Sequence, residues 1–281
     1  MPQNGSVIAG TLGVATFNIC GLPWSQSILP PLAERAAEFG RRLNESDLDI
    51  VNMQEVWGRR QLDLVRANLP SFPHVAWHRG LHGQPAGGLV TFSRRPLTGT
   101  AYQSYRGSVP RGGDLRFRAK RALNGALQGV LTTRLAGPDV LIANTHLTAN
   151  KDGDWSDDNR YHDFQRTQVD MLHAVLRKGV ARLTILTGDL NIPSYSSLYP
   201  SIVAHGAWRD PFATTDPATF HPEFLPPGCT GERIDYALVS GEEDHFPVRD
   251  SRILFAEPLS LQGGRRMYLS DHKALAIRVG L

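Results

Sequence analysis

Cysteine is scarce in this sequence: Cys20 and Cys229 are the only two among 281 residues. They are too few and too far apart for a disulfide framework or a cysteine zinc site. That leaves at most one bridge, with two buried free thiols the expectation. Residues 1–16 lack the basic start and long apolar run of a secretory leader. No later apolar stretch is long enough to span a bilayer. These absences lead one to expect a chain soluble as given, with its compartment left open between cytoplasmic and peripheral to a membrane. No Gly/Ser linker, charge run or internal repeat divides the sequence, so residues 1–281 are expected to form one domain. Strong net charge is absent as well. The formal value is +3, which permits an anionic substrate or surface without demanding nucleic acid. Between Asp63 and Asp114 there is no acid at all.

What is present is a series of short β-rich runs mixed with helical patterns. Val14–Asn18, Asp49–Gln54, Gly88–Phe92, Gly129–Leu135, Val140–Asn144, Leu183–Thr187, Arg233–Val239 and Ala274–Val279 read as strands. Pro30–Leu43 places Leu32, Ala36, Phe39 and Leu43 at helical spacing, with its prolines at the start, where a missing N–H costs least. Gln61–Leu69 and Arg160–Lys178 read as further helices. Ala101–Asn124 is polar, aromatic and Gly-rich, and is expected to be a long loop. Strands and helices without strict βαβ alternation suggest stacked mixed sheets covered by helices.

Polar residues gather at the strand ends. Glu55 follows IVNMQ, His146 follows VLIANT, and Asp189 and Asn191 follow LTILTG. Asp235 lies inside RIDYALV, and Asp271 and His272 stand just before the last strand. Each has an ordinary structural reading taken singly: a solvated acid, a turn, the polar face of a strand, a satisfied core histidine. Together they form a carboxylate, amide and imidazole set that suits phosphoryl chemistry assisted by a hard divalent cation. The cation offsets charge on phosphoryl oxygens, a His–Asp pair activates water, and a neutral amide donates a hydrogen bond.

The succession TFNICG, MQEV, NTHL, TGDLN, RIDYALVS and SDHKAL, from residue 16 to residue 276, resembles the endonuclease/exonuclease/phosphatase superfamily. The resemblance implies an α/β fold, a four-layered sandwich of two packed mixed β-sheets flanked by helices. It implies that Glu55 is the main Mg²⁺ ligand (Mn²⁺ serving as substitute), with Asn18 and Asp271 at the metal. Asp189 and Asn191 match the pair that orients the nucleophile and binds phosphate. Asp235 matches the acid that pairs with the final histidine, His272. His146 matches a position that some branches fill with histidine. With no acid on the preceding strands to hold it, His146 is expected to act alone or on a backbone carbonyl.

Two stretches, NTHLTANKDGDWSDDNRYHDFQRTQVDML and TFHPEFLPPGCTGERIDY, resemble the neutral sphingomyelinase-like branch. That implies a phosphodiester substrate in a lipid at a membrane surface. Lys120 and Arg121 are the nearest candidates for the branch's phosphate-contacting lysine. Trp24 in Leu22-Pro23-Trp24, and Phe224 in Phe224-Leu225-Pro226-Pro227, are the apolar candidates for docking at an interface. The first alternative is a nuclease. Arg106, Arg111, Arg116, Arg118, Lys120 and Arg121, interleaved with Tyr102, Tyr105 and Phe117, have the composition that tracks a phosphate backbone and stacks bases. The second alternative is a non-catalytic binding member.

Overall fold

A computed structural model describes residues 10–22, 29–204, 207–226, 228–260 and 266–281. Thirteen strands and five helices are described. They are β1 Thr11–Asn18, α1 Leu32–Glu45, β2 Ile50–Gln54, α2 Arg59–Ala67, β3 His74–Ala76, β4 Val90–Ser93 and β5 Leu97–Ser104. Then come α3 Leu115–Leu127, β6 Gly129–Leu135, β7 Val140–His146, α4 His162–Lys178, β8 Leu183–Asp189 and the short α5 Tyr199–Ile202. The chain closes with β9 Asp235–Ser240, β10 Val248–Leu254, a small hairpin of β11 Leu259–Ser260 and β12 Arg266–Met267, and β13 Ala274–Gly280.

Two mixed sheets result. One has six strands in the order β10-β13-β1-β2-β4-β3, the other five in the order β5-β6-β7-β8-β9. Their central strands are apolar on both faces, as strands must be when covered on both sides. In β1, Leu12 and Val14 face the second sheet, where they meet Ile142, Ile185 and Val239. Ala15 and Phe17 face the other way, onto Phe39 and Leu43 of α1 and Leu62 and Val65 of α2. On the far side, Val169, Leu172 and Leu176 of α4 cover Leu141, Ala143 and Leu186. Each fully buried Leu, Val or Phe contributes about 1.5–3 kcal/mol over exposure. These three clusters therefore hold the four layers, helix, sheet, sheet, helix, that the sequence led one to expect.

A polar seam fixes the two sheets in register. Asn52 Nδ2 donates to Thr187 Oγ1 (2.8 Å), and Gln54 Nε2 donates to Asn144 Oδ1 (2.7 Å). Asn144 Nδ2 in turn reaches the carbonyls of Met53 (3.0 Å) and Val90 (3.1 Å). Buried amides paired this way favour one sheet-to-sheet alignment, because any slip leaves them unsatisfied.

The structure corrects the reading of Ala101–Asn124. It is not a long loop: β5 runs through Ser104 and α3 begins at Leu115. β5 is an edge strand with a largely exposed polar face, so no apolar run marks it. α3 starts at Asp114, whose side chain accepts from the Phe117 N–H (2.7 Å) as an N-cap. Both cysteines are free as expected, but only Cys20 is buried, and Cys229 is exposed. Among the described residues no helix is long and apolar enough to cross a membrane.

Candidate functional site

Strand register builds the centre of the site. His146 at the end of β7 pairs with Asp189 at the end of β8, and Asp189 pairs with Asp235 at the start of β9. Three chemistry-bearing side chains thus stand side by side in one row across the sheet. Gly188 permits it: its φ is +154°, and a Cβ there would lie 2.0 Å from the Thr145 carbonyl oxygen. β8 can approach β7 this closely only with glycine at that point.

His272 reaches the row from the other sheet. Its Nδ1 lies 2.8 Å from Asp235 Oδ2, and its Nε2 lies 3.7 Å from Asp189 Oδ2. His146 Nε2 comes to the same oxygen at 3.5 Å. Asn18 Nδ2 donates to it as well (3.0 Å) and lies 3.5 Å from Glu55 Oε1. The amide of Asn18 therefore ties Asp189 to Glu55, while its Oδ1 accepts from the Cys20 N–H (3.0 Å). Asn191 N–H donates to Asp189 Oδ1 (2.9 Å), and its side-chain amide donates to the Leu147 carbonyl (2.9 Å). Seven of the eight centre residues expected from the sequence thus stand in one set of hydrogen bonds and close polar contacts. The eighth, Asp271, accepts from Ser270 Oγ (3.1 Å), which also donates to the Asn18 carbonyl (2.7 Å). His146 makes no described hydrogen bond: its Nδ1 is buried without a partner, and the backbone carbonyl is not found, which leaves the ring to act alone beside Asp189 on the next strand.

Burial sets the electrostatics. Desolvation depresses His146 to about 3, and the charge of His272 adds to the effect, so His146 is neutral. Desolvation also opposes the imidazolium of His272, but Asp235 and Asp189 outweigh it and hold its pKa well above the ordinary value. Desolvation first, and the charge of neighbouring Asp271 second, push Glu55 up to about 7. Glu55 Oε2 is buried and has no hydrogen-bond partner. Two crowded carboxylates, one with an orphaned oxygen, make an oxygen-rich donor set that a hard divalent cation would satisfy. A second grouping, Asp189, Asp235 and His272, also brings ligand atoms within 4.8 Å of one another. There the His272–Asp235 hydrogen bond already occupies one atom of each partner, so Glu55 and Asp271 are the better fit.

Strain marks the same rim. Cys20, Glu55 and Asn191 have φ of 48°, 63° and 52°, a region that non-glycine residues rarely occupy. Such outliers persist where surrounding structure holds them. Here Arg35 is part of that structure. It is buried in α1 and donates to the carbonyls of Ile19 (2.6 Å), Leu269 (2.9 Å) and Cys20 (3.1 Å). It clamps the loops that carry Asn18 and Asp271. Sequence reasoning missed it, although an arginine on the same helical face as Leu32, Ala36 and Phe39 was a visible signal. Thr219 and Phe220 were also missed. Thr219 Oγ1 accepts from the Asp235 N–H (3.1 Å), and the ring of Phe220 packs edge-on against His272 at 5.0 Å.

An open cleft adjoins the row, lined by Asn150, Trp155, Asn191, Phe220, Leu225, Glu232 and Ile234. Phe224 instead packs on Tyr268 (ring centroids 5.3 Å apart). Lys120 is exposed on α3, and Arg121 is buried beside Phe117 and Tyr161. Neither makes a described hydrogen bond or ion pair with the centre. Trp24 and Pro227 lie outside the described residues.

Comparison with known proteins places this geometry. The model of the Endonuclease/Exonuclease/phosphatase family matches residues 15–272. A putative neutral sphingomyelinase of Drosophila melanogaster is 26% identical over 96% of this chain and 61% of its own length. The chain spans between 48% and 63% of the length of the curated relatives it matches. Among solved structures, SmcL superposes with a TM-score of 0.73 at 16% identity, covering 97% of this chain and 99% of that one. A double mutant of the Staphylococcus aureus beta toxin with bound magnesium ions gives 0.67 at 15% identity, covering 95% and 98%. Both are likenesses of fold.

Proposed function

This chain belongs to the endonuclease/exonuclease/phosphatase family, and we propose that it is a Mg²⁺-dependent phosphodiesterase acting on a phospholipid such as sphingomyelin. The observation that carries the reading is the row His146–Asp189–Asp235 with His272 locked onto Asp235. Glu55 and Asp271, with Asn18 beside them, would hold the cation. Bound there, it would offset charge on the phosphoryl oxygens. The metal-bearing likeness of fold supports magnesium.

The chain's own groups divide the remaining work. Asp235 fixes the tautomer of His272 through Nδ1, so Nε2 faces Asp189 and the place where an attacking water is held. A cation held by Glu55 and Asp271 would disfavour the imidazolium; in its neutral form His272 accepts the water's proton at Nε2. Asp189 orients that water. His146, neutral through burial, donates from a ring N–H, and Asn191 has a second amide N–H for a phosphoryl oxygen. The water oxygen bonds to phosphorus as the bond to the leaving oxygen breaks; the leaving alkoxide takes up a proton from solvent and His272 returns its proton to solvent, giving a phosphomonoester and a free alcohol.

The lipid reading rests on similarity to the fly neutral sphingomyelinase and on the apolar lining of the cleft, Trp155, Phe220, Leu225 and Ile234. One assay series with Mg²⁺ tests it, comparing sphingomyelin with single-stranded and duplex DNA. Sphingomyelin should be cleaved and DNA left intact; cleavage of DNA with sphingomyelin untouched would put the nuclease alternative in its place.

Asp189 and Asn191 should behave as a unit, since the Asn191 N–H is bonded to Asp189 and both face the nucleophile. In a double-mutant cycle, Asp189→Asn with Asn191→Ala should cost far less than the sum of the single losses in kcat. Strict additivity would mean that they serve separate steps.

A further inference from the structure

The row that carries the chemistry extends beyond it. Ser104 of β5 pairs with Gly129 of β6, and Gly129 pairs with His146. One line thus crosses all five strands: Ser104, Gly129, His146, Asp189, Asp235. The connection from Tyr105 to Gln128, with α3 at its centre, leaves the sheet from this line and returns to it. It sits at the catalytic rim, tied there by Gln128 Nε2 donating to the Leu147 carbonyl (2.9 Å).

The composition of that connection is lopsided. It holds six cations, Arg106, Arg111, Arg116, Arg118, Lys120 and Arg121, against one acid, the capping Asp114. Its exposed face is apolar as well as basic. Leu115 is 81% exposed, Leu123 59% and Leu127 47%, with Val109 at 43% in the loop before. Leu115, Leu123 and Leu127 are eight and four residues apart and share one broad side of α3, where Arg116 and Lys120 are exposed between them. Arg106 and Arg111 are exposed in the same loop. A merely solvated helix face gains nothing from three bare leucines.

The rings that a nucleic acid would need are engaged by the protein itself: Tyr102 stacks on His78 at 5.9 Å and donates to the Leu127 carbonyl. Tyr105 is fully buried, with its hydroxyl on Thr145. Phe117 packs edge-on against Tyr161 at 5.0 Å, and the Arg160 guanidinium lies 4.3 Å from its ring centre. What faces outward is leucine with arginine and lysine, the pairing that lies in a headgroup layer rather than the one that stacks bases.

We infer that the outer face of α3, with the Arg106–Arg111 loop, docks on an anionic phospholipid surface and brings the catalytic rim down onto the bilayer. This rests on the phospholipase reading for the whereabouts of the substrate, and on charge complementarity for the choice of lipid. The face is distinct from both apolar loops singled out in the sequence.

The test uses the full chain, vesicles of phosphatidylcholine alone, and vesicles of phosphatidylcholine with phosphatidylserine. The variants are L115S/L123S and R111Q/R116Q. Unaltered protein should co-sediment with the anionic vesicles, less with the neutral ones, and release as salt rises. Each cation at such a surface is worth about fivefold in partitioning, so R111Q/R116Q should bind about 25-fold more weakly. L115S/L123S should lose on the order of tenfold on lost apolar burial. Hydrolysis of a soluble diester, bis-p-nitrophenyl phosphate, should be unchanged in both, which separates failed docking from failed catalysis. Variants that bind like the unaltered protein overturn the proposal, as does absence of binding to anionic vesicles. So does a self-association that L115S/L123S abolishes, or an RNA oligonucleotide bound in preference to vesicles. If vesicle binding behaves as expected but no phosphodiester is cleaved, the docking surface stands and the enzymatic reading fails.

Discussion

Replacing His272 with alanine should lower turnover by about 10²–10⁴-fold, the usual contribution of a positioned general base. The side chain is buried, its Nδ1 is 2.8 Å from Asp235, and its Nε2 opens toward Asp189. No other described imidazole pairs with Asp235. His146 shares Asp189, but burial depresses its pKa to about 3, which makes it too weak a base to take over the proton. The layers should hold, because the ring belongs to none of the apolar clusters, at a cost in stability from leaving buried Asp235 without its partner. Asp235→Asn should give a smaller loss with a shifted pH profile, since it leaves the imidazole present but alters its tautomer. A well-folded His272→Ala with near-normal turnover would remove the proposed base.

Glu55→Gln should cost about 10²-fold or more in turnover, through the metal. The substitution keeps shape and removes one charge from the carboxylate whose Oε2 has no partner. Two readouts do not depend on activity. Calorimetric binding of Mg²⁺ or Mn²⁺ should weaken or vanish. Mg²⁺ should also raise the Tm of the unaltered chain by mass action, and fail to do so for the variant. Metal-free, Glu55→Gln should be at least as stable as the unaltered chain, because it deletes a desolvated charge beside Asp271. Equal Mg²⁺ affinity in both proteins would move the metal elsewhere, with Asp189, Asp235 and His272 as the other grouping.

The layers and the centre were legible in the sequence for a local reason. Central strands buried on both faces are continuous apolar runs, and the working residues stand at their ends, as Glu55 does after Gln54. What escaped depends on tertiary pairing. The acid beside His146 was sought on an earlier strand, but the parallel β7–β8 register supplies Asp189 from the following one. β5 and β10 are edge strands with polar, partly exposed faces, so neither carries an apolar run. α3 is capped by Asp114, yet its arginines and the glycines of the loop before it read as irregular chain. Arg35 became visible as a clamp only once the carbonyls of Ile19, Cys20 and Leu269 converged on it.

Release of phosphocholine from sphingomyelin micelles tests the central claim most directly. The purified chain is assayed with Mg²⁺, then in excess EDTA, then with Mg²⁺ restored. Turnover that stops with the chelator and returns with the metal is the expected result. Undiminished turnover in EDTA, or no cleavage of sphingomyelin or any other phosphodiester under Mg²⁺ or Mn²⁺, would contradict it.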